Sequence, residues 1–345
     1  MISAAELDVL HRAIKDHPSA GGAGKHLESI TALLSDILPQ LEELIVRATV
    51  APSPLDQATQ QLIFAGGKRV RPVLTILFER LCGGDGKKCL KLAAATELIH
   101  SAALLHDDVI DEGDIRRGRP ASRVLWGNLI SVLSGDLLLT HALELIQQSG
   151  IPGAMEDILQ TTRSMIHGEV LQLEARNSET ISVETYFELV RSKTAALFAH
   201  SCRSGARAAG AQIEVIEACG RFGTHFGTAF QIIDDVLDLE GVPQEVGKQL
   251  GHDLSEGRIT LPIALVFEGN GESIRPLVAK ARSGDALSAL LVSQLPLVRQ
   301  ACEKARAIAL NESLEGKKAV AEILPNCREL QLLVEIAISL VNRRA

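Results

Sequence analysis

Apolar residues recur at three- and four-residue spacing along almost the whole chain, the period of one face of an α-helix. This spacing predicts helices over Leu27–Val50, with Pro39 as a kink, and over residues 86–105, 121–148, 155–176, 182–209, 211–239, 284–311 and 315–342. No run alternates strictly between apolar and polar positions, so no half-buried strand is predicted. The breaks are few and short. Asp16–Lys25, with Pro18, Gly21, Gly22 and Gly24, reads as a linker behind a small N-terminal helix. Gly83–Gly86 and Gly150–Gly153 read as turns, and Gly241–Gly257 as a longer polar loop. The reading is all-α: a helix and linker over 1–25, then one large helical bundle over 26–345.

Composition agrees with that picture and narrows the partners. Strong helix formers dominate the 345 residues, and aromatics are scarce, with one Trp, one Tyr and eight Phe. A net charge of −8 argues against nucleic acid. The six cysteines form no CxxC pair and no Cys/His metal spacing, which reads as a set of reduced core thiols in a cytoplasmic protein. The first residues lack the basic-then-apolar order of a signal peptide, and charges interrupt the longest apolar stretches, so no spanning helix is expected.

Two acidic clusters of one form stand out against the apolar pattern. Asp107-Asp108-Val109-Ile110-Asp111 and Asp234-Asp235-Val236-Leu237-Asp238 lie far apart in the chain, each with carboxylates at i, i+1 and i+4. On a helix, Asp107 and Asp111 share a face, as do Asp234 and Asp238. Crowded carboxylates repel and are costly to bury unpaired, so a positive partner is required. Mg²⁺ prefers oxygen ligands and commonly takes one or two carboxylates together with substrate phosphates. Basic residues follow both clusters: Arg116-Arg117 after the first, Lys248 and Arg258 after the second. Guanidinium and ammonium groups beside the acids suit a diphosphate, although either half alone is also the composition of a solvated helix end. Gly66-Gly67-Lys68-Arg69-Val70-Arg71-Pro72 adds glycines and cations at a helix start, an anion-binding arrangement that lacks the spacing of a P-loop.

Taken together, Gly-Gly-Lys-x-x-Arg-Pro, Asp-Asp-x-x-Asp with Arg-Arg behind it, Lys193-Thr194, and Phe-Gln-x-x-Asp-Asp-x-x-Asp with a downstream Gly-Lys resemble the trans-isoprenyl diphosphate synthase family over residues 60–265. The resemblance implies an isoprenoid synthase-like bundle around a central elongated cavity. It implies a prenyltransferase that joins isopentenyl diphosphate to an allylic diphosphate. Lys68, Arg71, His100 and Arg117 would hold isopentenyl diphosphate. Three Mg²⁺ would hold the allylic diphosphate, with Asp107 and Asp111 ligating two and Asp234 the third. Asp108, Asp235 and Asp238 would act through water or as supports. Arg116, Lys193, Thr194, Gln231 and Lys248 would bind diphosphate oxygens. One departure is Arg258, where the family often has a second Lys before Thr-Leu-Pro. His100, seven residues before Asp107, is otherwise readable as a satisfied core histidine.

The implied mechanism is ionisation of the allylic C–O bond, attack by the isopentenyl double bond, and proton loss to the released diphosphate. Water must be excluded, and Gly247–Gly257 is the expected lid. The growing tail is expected along the helix before Asp107, where each turn rises ~5.4 Å, about one isoprene unit. Ala102 and Ala103 occupy the gating positions five and four residues before Asp107. Small residues there leave the tunnel open, and by resemblance imply a long product of roughly six to ten units (about C30–C50) at that rise per unit; equally, paired alanines allow close helix packing. A short-chain farnesyl or geranylgeranyl synthase is the alternative. A terpene cyclase would carry a different second metal motif and an aromatic-lined cavity, and a regulatory subunit would have lost acidic residues. The resemblance also implies a homodimer and release of the lipid product at a membrane.

Overall fold

The computed structural model describes residues 34–50, 53–66, 69–241, 250–269 and 271–341, and within them the chain is helical almost throughout. In order, the elements are α1 (Leu38–Arg47), α2 (Leu55–Phe64), α3 (Val70–Leu81), α4 (Leu90–Ile110), a two-residue ribbon of β1 (Ile115–Arg116) and β2 (Arg119–Pro120), α5 (Ser122–Ser149) and α6 (Ala154–Asn177). Then follow α7 (Val183–Val190), a π-helical turn (Arg191–Ala195), α8 (Ala196–Ala208), α9 (Ile213–Glu240) and α10 (His252–Ser255). α11 (Leu261–Glu268), a 3₁₀ turn (Gly271–Ile274), α12 (Arg275–Arg282), α13 (Ala286–Gln294), α14 (Pro296–Ala321) and α15 (Arg328–Val341) complete the chain. The all-α reading holds. The N-terminal helix and linker expected over 1–25 lie outside the described residues.

Three expectations are corrected. Pro39 does not kink a helix but starts one, in the first turn of α1, where its missing N–H costs nothing. Pro296 likewise opens α14, so the helix expected over 284–311 is two helices, and the break expected near 312–314 lies at 322–327. The helix expected over 182–209 runs from Val183 to Ala208 and carries a π turn at 191–195.

The chain divides into two compact units, which among the described residues are 34–159 with 200–219, and 160–199 with 220–341. In the first, α4 is buried almost all round, through Leu92, Ala93, Ala94, Ala95, Leu98, Ile99, Ala102 and Leu105. A helix apolar on every face is a central helix, and the small alanines let neighbours approach closely. α5 packs on it: a Cβ on Gly135 would stand 2.3 Å from His106 Nε2, so a larger residue there would displace the imidazole. A buried cluster ties α6 to α8, with His200 Nδ1 2.6 Å from Asp157 Oδ2, Arg203 donating to Asp157 Oδ1 at 2.7 Å, and Ser204 Oγ 3.2 Å from His200 Nε2.

The second unit is built on the buried side of α9, where Ile232, Ile233 and Val236 pack with Leu261, Ile263, Val298 and Cys302. Phe198 stands 5.4 and 5.5 Å from Phe226 and Phe230, ring centroid to centroid. Arg282 closes the C-terminus of α6 by donating to the carbonyls of Ala175, Arg176, Ser178 and Glu179, and its Nε donates to Gly257 O at 3.1 Å. Ala175 and Arg176 carry last-turn carbonyls that a helix cannot satisfy itself, and Ser178 and Glu179 follow just beyond its end.

One further correction concerns α5. By length and composition it is long and apolar enough to cross a membrane, because its few charges lie far apart, and only 33% of that apolar window is buried. Gly127 (φ 83°, ψ 165°) interrupts the helix near its start; Leu125 is exposed before this kink, and Leu129, Val132 and Leu133 are exposed after it.

Candidate active site

The first acidic cluster ends α4. Asp107 and Asp108 are in the last turn and Asp111 is the C-cap, its amide donating to Asp107 O at 2.7 Å. The negative end of the helix dipole adds to three carboxylates there, which raises the demand for cations. Asp107 and Asp111 are half-buried, whereas Asp108 is buried. Arg116 meets Asp108 with two donors, Nε at 2.8 Å and Nη2 closer still. Burial raises the Asp108 carboxyl above its usual value, opposed by this guanidinium. Arg116 therefore braces the cluster from behind, in addition to any role toward a diphosphate.

The next residue completes a tight ribbon. Arg117 (φ 51°) and Gly118 (φ 72°) are both left-handed, as a two-residue hairpin turn requires. That conformation is unfavourable for arginine, and it is held by Nη1 donating to Leu62 O at 3.2 Å and to Gly66 O. The basic turn at 66–71 is thus joined to Arg117. Arg69, also left-handed (φ 47°), is buried against Glu97 (2.7 Å) and Glu42 (3.0 Å) and donates to Ile63 O at 3.1 Å. It anchors the start of α3, and Arg71 lies in the first turn behind it. Sequence reading had passed over Arg69, since nothing in the motif distinguishes a structural arginine from a ligand-binding one. Lys68 lies outside the described residues.

His100 is half-buried on α4, and its imidazole is held well below the usual range, by burial first and then by Arg71, Arg117, Arg116 and Arg69. A neutral ring amid four guanidiniums marks a strongly positive locale, which an anion relieves. The structure so brings Arg71, His100 and Arg117 together, as the sequence implied. Ala102 is buried, while Ala103, one position on, is half-buried.

The second cluster lies in the other unit, on α9. Asp234 is half-buried, and Asp235 and Asp238 are buried. Asp235 Oδ2 accepts from Tyr186 Oη at 2.6 Å and from the Leu261 amide at 3.2 Å, and Oδ1 accepts from Gln231 Nε2 at 2.9 Å. The carboxylate thereby caps α11, whose own Thr260 makes no cap. Asp238 does the same for α10, accepting from the Asp253 amide at 3.2 Å. Burial pushes the Asp235 carboxyl up to about 7, with Asp253 adding to it against the three hydrogen bonds.

Thr194 Oγ1 donates to Gln231 Oε1 at 3.0 Å, so Thr194, Gln231 and Asp235 form one chain. Lys193 and Thr194 sit in the π turn, and π turns are frequent at functional sites. Gly168 admits this turn: a Cβ there would lie 2.5 Å from Lys193 N. The Lys193 ammonium pairs with Glu169 and donates to Gln172 Oε1 at 3.2 Å, two partners on α6 with no motif to announce them. Arg258 is bound to Asp253 (2.8 Å) and Glu256, which accounts for its position near the second cluster. Lys248 and Gly247 lie outside the described residues, and the described part of the loop they were read into contains α10.

Each cluster divides its aspartates between half-buried and buried, two to one in the first and one to two in the second. Asp107, Asp111 and Asp234 are half-buried, and Asp108, Asp235 and Asp238 are buried. Hard oxygen donors left accessible at the first three fit a divalent cation, and a cation of that kind commonly completes its shell from phosphate oxygens. Among the described residues, no three His, Cys, Asp or Glu side chains gather closely enough to hold a metal by themselves.

Comparison with known proteins adds three findings. The family model for polyprenyl synthetase matches residues 52–290. The chain is 38% identical to heptaprenyl diphosphate synthase component 2 of Geobacillus stearothermophilus, over 73% of this chain and 79% of that one. It is 34% identical to a short chain isoprenyl diphosphate synthase of Methanothermobacter thermautotrophicus, over 84% and 90%. Its fold matches a polyprenyl synthase from Caulobacter crescentus CB15, crystallised with calcium and isoprenyl diphosphate, at a TM-score of 0.86 and 33% identity, covering 92% and 98%. The all-α isoprenoid synthase fold is thereby shown.

The raised Asp235 carboxyl has a consequence for stability. It binds its proton more readily folded than unfolded, so its contribution is full below the ordinary value of 3.8 and is lost as pH rises through about 7. In metal-free buffer, wild type should therefore lose on the order of 2–4 kcal/mol relative to Asp235→Asn between about pH 4 and pH 8. Denaturant titrations of both proteins across that range check this; parallel pH curves would contradict it.

Proposed function

The chain belongs to the polyprenyl synthetase family, and from that premise we propose that it extends an allylic diphosphate repeatedly with isopentenyl diphosphate to a long-chain all-trans polyprenyl diphosphate. That it is a prenyltransferase using these two substrate classes follows from the family. The observation carrying the catalytic assignment is the sorting of the six aspartates, with accessible Asp107, Asp111 and Asp234 backed by buried Asp108, Asp235 and Asp238.

In this reading Asp107, Asp111 and Asp234 hold three Mg²⁺ against one diphosphate. The metal, when bound, neutralises the charge that develops on the departing diphosphate. The protein does the rest. Arg116 and the three hydrogen bonds on Asp235 keep the carboxylates fixed so that they need not reorganise. Lys193, Thr194, Gln231 and Lys248 bind diphosphate oxygens. Arg71, His100 and Arg117, with Lys68, bind isopentenyl diphosphate without metal and hold its double bond beside the allylic carbon. The proton leaves to the released diphosphate, so no dedicated base is assigned.

The relatives are named for short and long products alike, so product length rests on the residues before Asp107. Ala103 is the accessible one of the pair, and bulk there should block a growing tail. The exposed Leu129, Val132 and Leu133 of α5 support a homodimer, since apolar surface of this kind is what a second copy covers.

Radiolabelled isopentenyl diphosphate with farnesyl or geranylgeranyl diphosphate and Mg²⁺, followed by product sizing, tests the activity directly. Asp107→Ala and Asp234→Ala should each cut turnover at least about a hundredfold with folding intact; near-normal rates in both would sink the metal assignment. Ala103→Phe and Ala102→Tyr should shorten the product, and unchanged length in both would refute the tunnel. Light scattering should give the mass of a dimer, and a monomer would leave the α5 face unexplained.

A further inference from the structure

The chain contains one tyrosine, and it is buried in the core of the second unit. Tyr186 lies on α7, and Ser182 caps that helix by accepting from the Thr185 amide at 3.0 Å, which fixes the start of the element that carries the ring. Its hydroxyl donates to Asp235 Oδ2 at 2.6 Å, a short charge-assisted contact. Asp235 is the neighbour of Asp234 on α9 and shares none of its accessibility. Three elements converge on this one carboxylate: α7 through Tyr186, α11 through the Leu261 amide, and α9 itself through Gln231. The phenol ring packs edge-on against Phe187 at 5.7 Å, so the hydroxyl has little freedom to turn away.

From this arrangement, and resting on the reading of Asp234 as a metal ligand, the geometry points to Tyr186 as a positioning residue: its hydroxyl clamps Asp235 and thereby sets the α9 turn that presents Asp234 to a Mg²⁺-diphosphate. A carboxylate without that donor keeps only the longer Leu261 contact on Oδ2 and the Gln231 contact on Oδ1, and is held less firmly about its side-chain bonds. The adjoining backbone turn then loses its tie to α7. The contribution is to metal–diphosphate affinity rather than to the handling of isopentenyl diphosphate, because the cations around His100 belong to the other unit. Burial, with Asp235 next, also raises the phenol well above its usual range, which keeps the hydroxyl protonated at neutral pH.

Tyr186→Phe removes the hydroxyl alone. Titration calorimetry with Mg²⁺ and inorganic diphosphate should show metal affinity reduced about tenfold or more, the range found when a partner behind a metal ligand is lost. The KM for the allylic diphosphate should rise with it, while that for isopentenyl diphosphate stays at the wild-type value. Because the tyrosine is single, protein labelled with 3-fluorotyrosine gives one fluorine resonance, which should shift when Mg²⁺ and diphosphate are added together. Wild-type affinity and KM values in Tyr186→Phe, or a resonance that ignores Mg²⁺-diphosphate in protein that binds it, would overturn the assignment. The resonance decides the matter even if the variant does not fold. Asp234→Ala separates the two layers: if it binds Mg²⁺-diphosphate as wild type does, the metal reading itself falls, whatever Tyr186 shows.

Discussion

Carboxylate crowding governs this molecule. Three aspartates within five residues repel one another on any helix, and at the end of α4 the helix dipole adds to the cost. The protein resolves it by dividing each triplet. Some carboxylates are taken into the interior, where they are held by donors. The others stay half-buried and keep some access to solvent. In the first cluster the inward member is satisfied by Arg116. In the second, two inward members are satisfied by a phenol, a carboxamide and the backbone amides of the next two helices. Burying a carboxylate without such partners would cost several kcal/mol or force it neutral.

The second solution also shapes the fold. By capping α10 and α11, Asp238 and Asp235 determine where those helices begin, so the acidic cluster organises the chain that follows it. The same residues that support metal binding are thus part of the core of their unit. Charge placement and packing cannot be varied independently here, which is why a change behind the accessible carboxylates is expected to be felt by the ligand and by stability together.

Strained backbone appears at the two basic turns. Arg69 and Arg117 adopt left-handed conformations that arginine disfavours, and each is held by several hydrogen bonds. The π turn at Lys193-Thr194 shifts the helical register by one residue, at a place where Gly168 leaves room for it. These local costs gather cations and hydroxyls into positions that regular helices would not provide.

Much of this was legible in the sequence. The 3.6-residue period of apolar positions determined an all-α fold, whereas the doubled Asp-Asp-x-x-Asp with trailing cations suited a cation and a phosphate, and the reaction itself came from the resemblance that those motifs carry. In the sequence Pro39 reads as a kink and the helix expected over 284–311 runs through Pro296, because a proline's place in a helix's first turn shows only in the neighbouring hydrogen bonds. Tertiary structure alone decided which aspartates face inward. It also chose Tyr186, Glu169 and Gln172 as partners and Arg69 as an anchor rather than a ligand. Those choices depend on groups 20 to 60 residues apart meeting at hydrogen-bond distance, and no local pattern records such encounters.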